Sequence, residues 1–247
     1  PSYTKFDSVG FDDSFGKTVK KPTVPAVLKR LKSFGSRKNV QGMARFGISA
    51  GKAYGVPAPR LWNLAREFRP NHTLALALWK SEVHDARILA SLIDEPGLVS
   101  AGQMDRWAKD FDNWAVCDSC CFHLFDRTPF AFRKAREWSR HKGEFVRRAG
   151  FALMASLAVH DKQAPDGLFL RFFPLIKNAA RDERNFVKKA VNWALRQIGK
   201  RNLGLNKKAV RLAREVKKID SRAARWIAAD ALRELEGAAV GRRLRIK

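Results

Sequence analysis

The sequence predicts an all-α fold, a solenoid of stacked helix pairs that presents a long, concave, basic groove. Three observations predict it. From Pro22 onward, apolar residues recur three and four positions apart, and no stretch alternates as a strand would. Four helical segments share one plan. Basic residues recur at matching places in those segments. The 247 residues are enough to bury a sizeable core. Residues 1–21 read as a loosely ordered N-terminal tail, and residues 22–247 as a single domain.

The elements follow in order. Val27, Leu28 and Leu31 give a first short helix, and Gly42–Ile48 suggests a second. Pro57 opens a third, where a missing N–H does no harm, and Leu61, Leu64, Ala65 and Phe68 carry its apolar face. Helices are then expected at Thr73–Trp79, Val83–Ile93, Gln103–Phe111, Trp114–Phe125, Pro129–Arg140, Phe145–Val159, Gly167–Ala180, Phe186–Gly199, Lys207–Val216 and Arg222–Leu235. The segments around Ala86, Ala149, Ala190 and Ala224 each enter with polar or basic residues, reach the small alanine, then turn apolar. Their spacings are 63, 41 and 34 residues. The last two bracket one helical-pair repeat, and the first would hold one and a half to two. That is the mark of an irregular HEAT-like or ARM-like solenoid; the alternative is a non-repeating helical bundle.

Charge is the outlier of the composition. Lys and Arg number 49 against 24 Asp and Glu, a net of +25. Self-repulsion at that level opposes compaction, so a polyanion is the expected partner. Residues 181–247 alone carry 20 basic and 7 acidic side chains. Arg147, Arg148, Lys188, Lys189 and Arg222 fall near the starts of successive helices. Stacked, they would form a stripe suited to a duplex backbone. No run of 18 apolar residues is present, which argues against a membrane. The three cysteines, Cys117, Cys120 and Cys121, lie too close together to pair readily, and a reduced, cytoplasmic, nucleoid-associated setting is expected. With His123 they tempt a zinc assignment, but helical spacing does not close a tetrahedron, so buried free thiols and no metal are expected. His84, Asp85 and Arg87 read as a polar set within helix packing, and His160–Asp161 as a helix end.

Two constellations could carry chemistry. Trp114 and Asp118 are four residues apart and share a helix face. On a phosphate-facing surface, a carboxylate is useful only to stabilise something positive; otherwise it is an exposed Asp paired with an Arg. Phe186, Lys189, Trp193, Arg196 and Lys200 fall at i, i+3, i+7, i+10 and i+14, interleaving aromatics with cations.

These residues carry a resemblance. From about Leu28 to Leu235 the chain resembles the AlkD-type DNA alkylation repair glycosylases, the HEAT-like repeat DNA glycosylases. The likeness is strongest in Leu78–Arg87, Trp114–Asp118, Phe145–Ala149 and Phe186–Arg196. It implies a monomeric, monofunctional enzyme that needs no cofactor. The enzyme would wrap duplex DNA and hydrolyse the N-glycosidic bond of cationic alkylated purines, 3-methyladenine and 7-methylguanine, without drawing the base into a pocket. Asp118 matches the catalytic carboxylate, and Trp114 and Trp193 the pair of tryptophans that hold the lesion's backbone. Arg148 matches an arginine on phosphate, and Phe186 an aromatic neighbour of the cleft. Arg147, Lys188, Lys189, Arg196 and Lys200 would complete the DNA-binding surface. One departure is Ala115, where relatives often carry a second acid. Met43, Arg45 and Lys52 are candidates for the groove's N-terminal part. The alternatives are a non-catalytic HEAT-like protein that binds DNA or RNA, and a scaffold for an acidic protein.

Overall fold

A computed structural model describes residues 22–48 and 51–245; the expected tail, 1–21, lies outside the described residues. The described chain is helical, with no strand among the described residues. The helices are α1 (Val24–Ser33), α2 (Arg37–Met43), α3 (Ala58–Phe68), α4 (His72–Trp79), α5 (His84–Ile93), α6 (Ala101–Lys109), α7 (Trp114–His123), α8 (Ala131–Trp138), α9 (Glu144–His160), α10 (Asp166–Leu170), α11 (Phe173–Ala179), α12 (Asn185–Gly199), α13 (Leu203–Lys217), α14 (Arg222–Leu235) and α15 (Ala238–Arg245). Many starts are written locally. Ser36, Asn71, Ser100, Asn113, Asn202 and Ser221 each accept a backbone N–H at a helix entrance. Among the described residues, no helix is long and apolar enough to cross a membrane.

Three boundaries differ from expectation. The helix expected at Gly42–Ile48 starts earlier, capped by Ser36, and ends in a 3-10 turn at Ala44–Phe46. Gly47 stops it with a left-handed φ of 69°. The helix expected at Gly167–Ala180 is two helices. A proline at position 174 lacks an N–H and clashes with the carbonyl four residues back, which belongs to Leu170, the last residue of α10. Helix α15 lies beyond the last helix expected from the sequence, Arg222–Leu235.

The helices stack as a HEAT-like solenoid. One layer runs α5, α7, α9, α12, α14, each packed on the next, and α4, α8, α11 and α13 back it. The four aligned alanines sit in this layer and are fully buried. Helix α7 fills the gap of 63 residues between Ala86 and Ala149, which therefore holds two repeats. Packing is close enough at α8 and α9 that a Cβ on Gly150 would lie 2.3 Å from the Ser139 amide nitrogen. One continuous apolar core runs from Val27 to Leu235. Asp85, expected in a polar packing set, accepts the amides of Tyr54, Gly55 and Val56 at 2.7, 3.3 and 2.8 Å, fastening the segment before α3 to α5.

Candidate nucleic-acid site

The site starts at the entrance of α7. Asn113 accepts the amides of Ala115 and Val116, which fixes the first turn and sets Trp114 at its head. The apolar side of α7 turns inward: Val116, Cys117, Cys120 and Cys121 are buried, with the Cys117 and Cys121 thiols facing the Phe145 and Ala149 carbonyls of α9 at 3.6 Å. Trp114 and Asp118 are thereby left on the groove side.

Arg148 of α9 meets Asp118 side-on. Its Nε and Nη2 donate to Oδ1 and Oδ2 at 2.8 and 2.6 Å, a bidentate pair. Its Nη1 donates to the Phe186 carbonyl of α12 at 2.7 Å. The Arg148 side chain is 8% exposed and that of Asp118 is 21%. Burial pulls the guanidinium down, but the Asp118 charge and hydrogen bonds outweigh it and hold the group above its ordinary pKa. One guanidinium thus ties three successive layer helices together.

Two clefts meet at this pair. The smaller, about 510 Å³, is lined by Arg45, Phe46 and Gly47 on one side and by Phe186, Lys189 and Trp193 on the other. The larger, about 970 Å³, runs along Leu61, Trp62, Ile88, Phe122 and His123 towards Arg243. Both clefts share Trp114, Asp118 and Trp193, so these three residues form the ridge between them. Trp193 stacks towards Phe122 at 6.1 Å and 19°. His123 meets the Trp62 ring edge-on at 4.9 Å, and burial, aided by Arg127 and His160, lowers its pKa to about 4. The large cleft is therefore lined by a neutral imidazole and apolar side chains near Asp118, while the small one carries Arg45 and Lys189.

The structure brings together Trp114, Asp118, Arg148, Phe186, Lys189 and Trp193, which the sequence had spread over 80 positions. It redistributes the remaining cations. Arg148, expected on phosphate, lies behind Asp118 with all three of its nitrogens donating within the protein. Arg147 sits 3.4 Å from the Asp182 carboxylate. Arg196 and Lys200 both reach Glu234 of α14 at 2.5 Å, and Arg196 is 3.5 Å from Asp230. Burial pushes the Glu234 carboxyl up, and Lys200 and Arg196 outweigh it, holding it below the ordinary value. Lys188 lies over the Trp226 ring, 5.4 Å from its centre. The expected single stripe is thus interrupted, because α14 supplies acids opposite the α12 cations.

Some site residues gave no sequence signal. Trp62 and Phe122 read as ordinary apolar helix positions. Phe46 fell in a segment expected to be helical; the Trp114 indole N–H donates to its carbonyl at 2.8 Å. Met43 and Lys52 do not line either cleft; Lys52 pairs with Glu82 at 2.8 Å.

Comparison with known proteins bears on the family and the fold. No curated protein matches the sequence. One similar solved structure is described as a new family of proteins related to the HEAT-like repeat DNA glycosylases, with affinity for branched DNA structures. It shares the fold at a TM-score of 0.71 and 20% identity, covering 86% of this chain and 95% of that one. Residues 27–235, nearly the whole described solenoid and every residue of the ridge, match the DNA alkylation repair enzyme family, and the chain belongs to that family.

Proposed function

We propose that the protein is a monofunctional DNA glycosylase that releases cationic N3- and N7-alkylated purines from duplex DNA. The observation that carries this reading is the ridge. In a chain of net charge +25, one partly exposed carboxylate shares the lining of both clefts with two indoles. The acid holds Arg148 in place, but its exposed charge adds nothing to a grip on phosphate alone.

The chemistry follows from that placement. An alkylated purine is already positive and leaves readily. The C1′–N bond breaks, its electron pair neutralises the departing base, and positive charge moves to the sugar. Asp118 stabilises that charge, and the indole faces of Trp114 and Trp193 add to it. Arg148 occupies one edge of the carboxylate and fixes its direction; the lone pairs on its other edge can orient a water. The water oxygen bonds to C1′, and its proton leaves to solvent. The base need not be drawn from the stack. Lys189 and Arg45, which line the small cleft, are the cations best placed to meet phosphate.

A second reading has its own support. Both Asp118 oxygens are held by Arg148, which offsets the acid's charge, and the similar structure described above belongs to proteins with affinity for branched DNA. On that reading the protein binds DNA without cutting the glycosidic bond. Base release decides between them. Under single-turnover conditions with excess protein, release of 7-methylguanine or 3-methyladenine from methylated duplex DNA is expected. No free base from any alkylated duplex, with binding intact, would leave the second reading standing.

A further inference from the structure

We infer that Phe46 is a stacking residue that packs on a base beside the lesion, completing an aromatic frame with Trp114 and Trp193. The inference rests on the reading of the groove as a DNA site, not on glycosidic cleavage.

Four observations carry it. Phe46 is 68% exposed, the most exposed of the large apolar side chains among the described residues. It lines the small cleft together with Lys189, Phe186 and Trp193. Its backbone is nevertheless pinned. The Trp114 indole donates to the Phe46 carbonyl at 2.8 Å. On the other side, Gly47 turns with a φ of 69° directly against the Phe186 ring, so closely that a Cβ there would lie 2.6 Å from Phe186 Cζ.

Together these describe a rigid backbone that holds a bare ring in solvent at the rim of a cationic cleft. Leaving a phenylalanine that exposed forgoes burial in the free protein, so the ring is available to a partner. A flat hydrocarbon beside Arg45 and Lys189 does not suit phosphate. It suits a base face, with the cations on the flanking backbone, and apolar side chains that pack between base steps have that character. Because the backbone is already fixed by Trp114 and Phe186, little ordering is needed on binding. The same indole that faces the ridge also positions the rim, so the frame is a single unit.

The test is a binding measurement that needs no cleavage. The probe is a duplex with a stable abasic-site analogue and 2-aminopurine next to it, compared with an undamaged duplex of the same sequence. Wild-type protein is expected to lower the 2-aminopurine fluorescence, because stacking quenches it. Phe46→Ala is expected to lose that fall and to weaken binding to the abasic duplex about tenfold, within the range a lost base–aromatic stack gives. Undamaged duplex should change less than about twofold, and Phe46→Trp should restore binding to the abasic duplex. Equal losses on both duplexes, or no loss on either, would overturn the assignment, as would failure of Phe46→Trp to rescue. If no alkylated base is ever released but these differences hold, cleavage fails as the function and the stacking assignment stands.

Discussion

Two sets of ion pairs cross between neighbouring helices of the groove layer, and they differ in what surrounds them. At α7 and α9, one acid meets one guanidinium, Asp118 and Arg148, 30 residues apart. At α12 and α14, Glu234 takes Arg196 and Lys200, 38 and 34 residues away, and Asp230 takes the Asn192 amide. The first pair stands on a ridge between two indoles and two clefts. Of the second set only Lys200 lines a cleft, and neither of its acids does. Pairing of charges between adjacent helices is thus how this basic stack holds together. What singles out the candidate site is an acid that lines both clefts, as Asp118 does and Glu234 does not. The comparison also shows why a count of cations overstates those free for phosphate.

The largest expected effect separates the two acids by activity. Asp118→Asn should cut base release by roughly 10²–10³-fold, as loss of a group aimed at developing charge does, while duplex affinity changes little. Glu234→Gln should leave single-turnover release within about threefold. Equal losses from both would erase the distinction.

Stability should separate the two arginines. Arg148→Met strips a buried partner from Asp118 and removes the bond to the Phe186 carbonyl, and should cost about 3 kcal/mol by urea unfolding. Arg196→Met should cost about 1 kcal/mol, because Arg196 is 29% exposed and Glu234 keeps Lys200.

Acid should act on the ridge side first. His123 has an ordinary value of 6.5 when unfolded and about 4 when folded, because burial favours the neutral ring. The unfolded chain therefore binds the extra proton between those values. Stability is fully present above 6.5, falls as pH drops towards 4, and loses at most about 3 kcal/mol through this group. Comparing Tm against pH for the wild type and His123→Phe checks this; an unchanged slope in the variant would remove His123 as the cause. The smallest effect belongs to the other side. Glu234→Gln should release Arg196 and Lys200 and tighten undamaged-duplex binding about two- to threefold at low salt, with a steeper salt dependence.

Much of this was legible in the sequence for physical reasons. Helix α7 and the aligned layer helices announce themselves because their apolar spacing and entrance residues are local signals. Trp114 and Asp118 share a face by helical geometry alone. What a helix faces is not local. The acids at 230 and 234 that occupy Arg196 and Lys200 lie one repeat away, and the repeat length varies, so spacing could not pair them. The Phe46 rim depends on Gly47 turning left-handed against a ring 139 positions later in the chain. Pro174 was readable as a helix break, and the apolar pattern running through it concealed the break.

The three cysteines under the ridge bear on how such a protein survives its working conditions. Agents that alkylate purines are electrophiles, and they attack thiolates readily. Here all three thiols are buried between α7 and its neighbours, and burial first, with neighbouring thiols adding to it, drives Cys120 and Cys121 well above the ordinary thiol range. At neutral pH the Cys120 and Cys121 sulfurs stay protonated and shielded, and a protonated, shielded sulfur is a poor nucleophile. The packing that aims Asp118 outward also keeps the chain's three thiols away from agents that alkylate DNA.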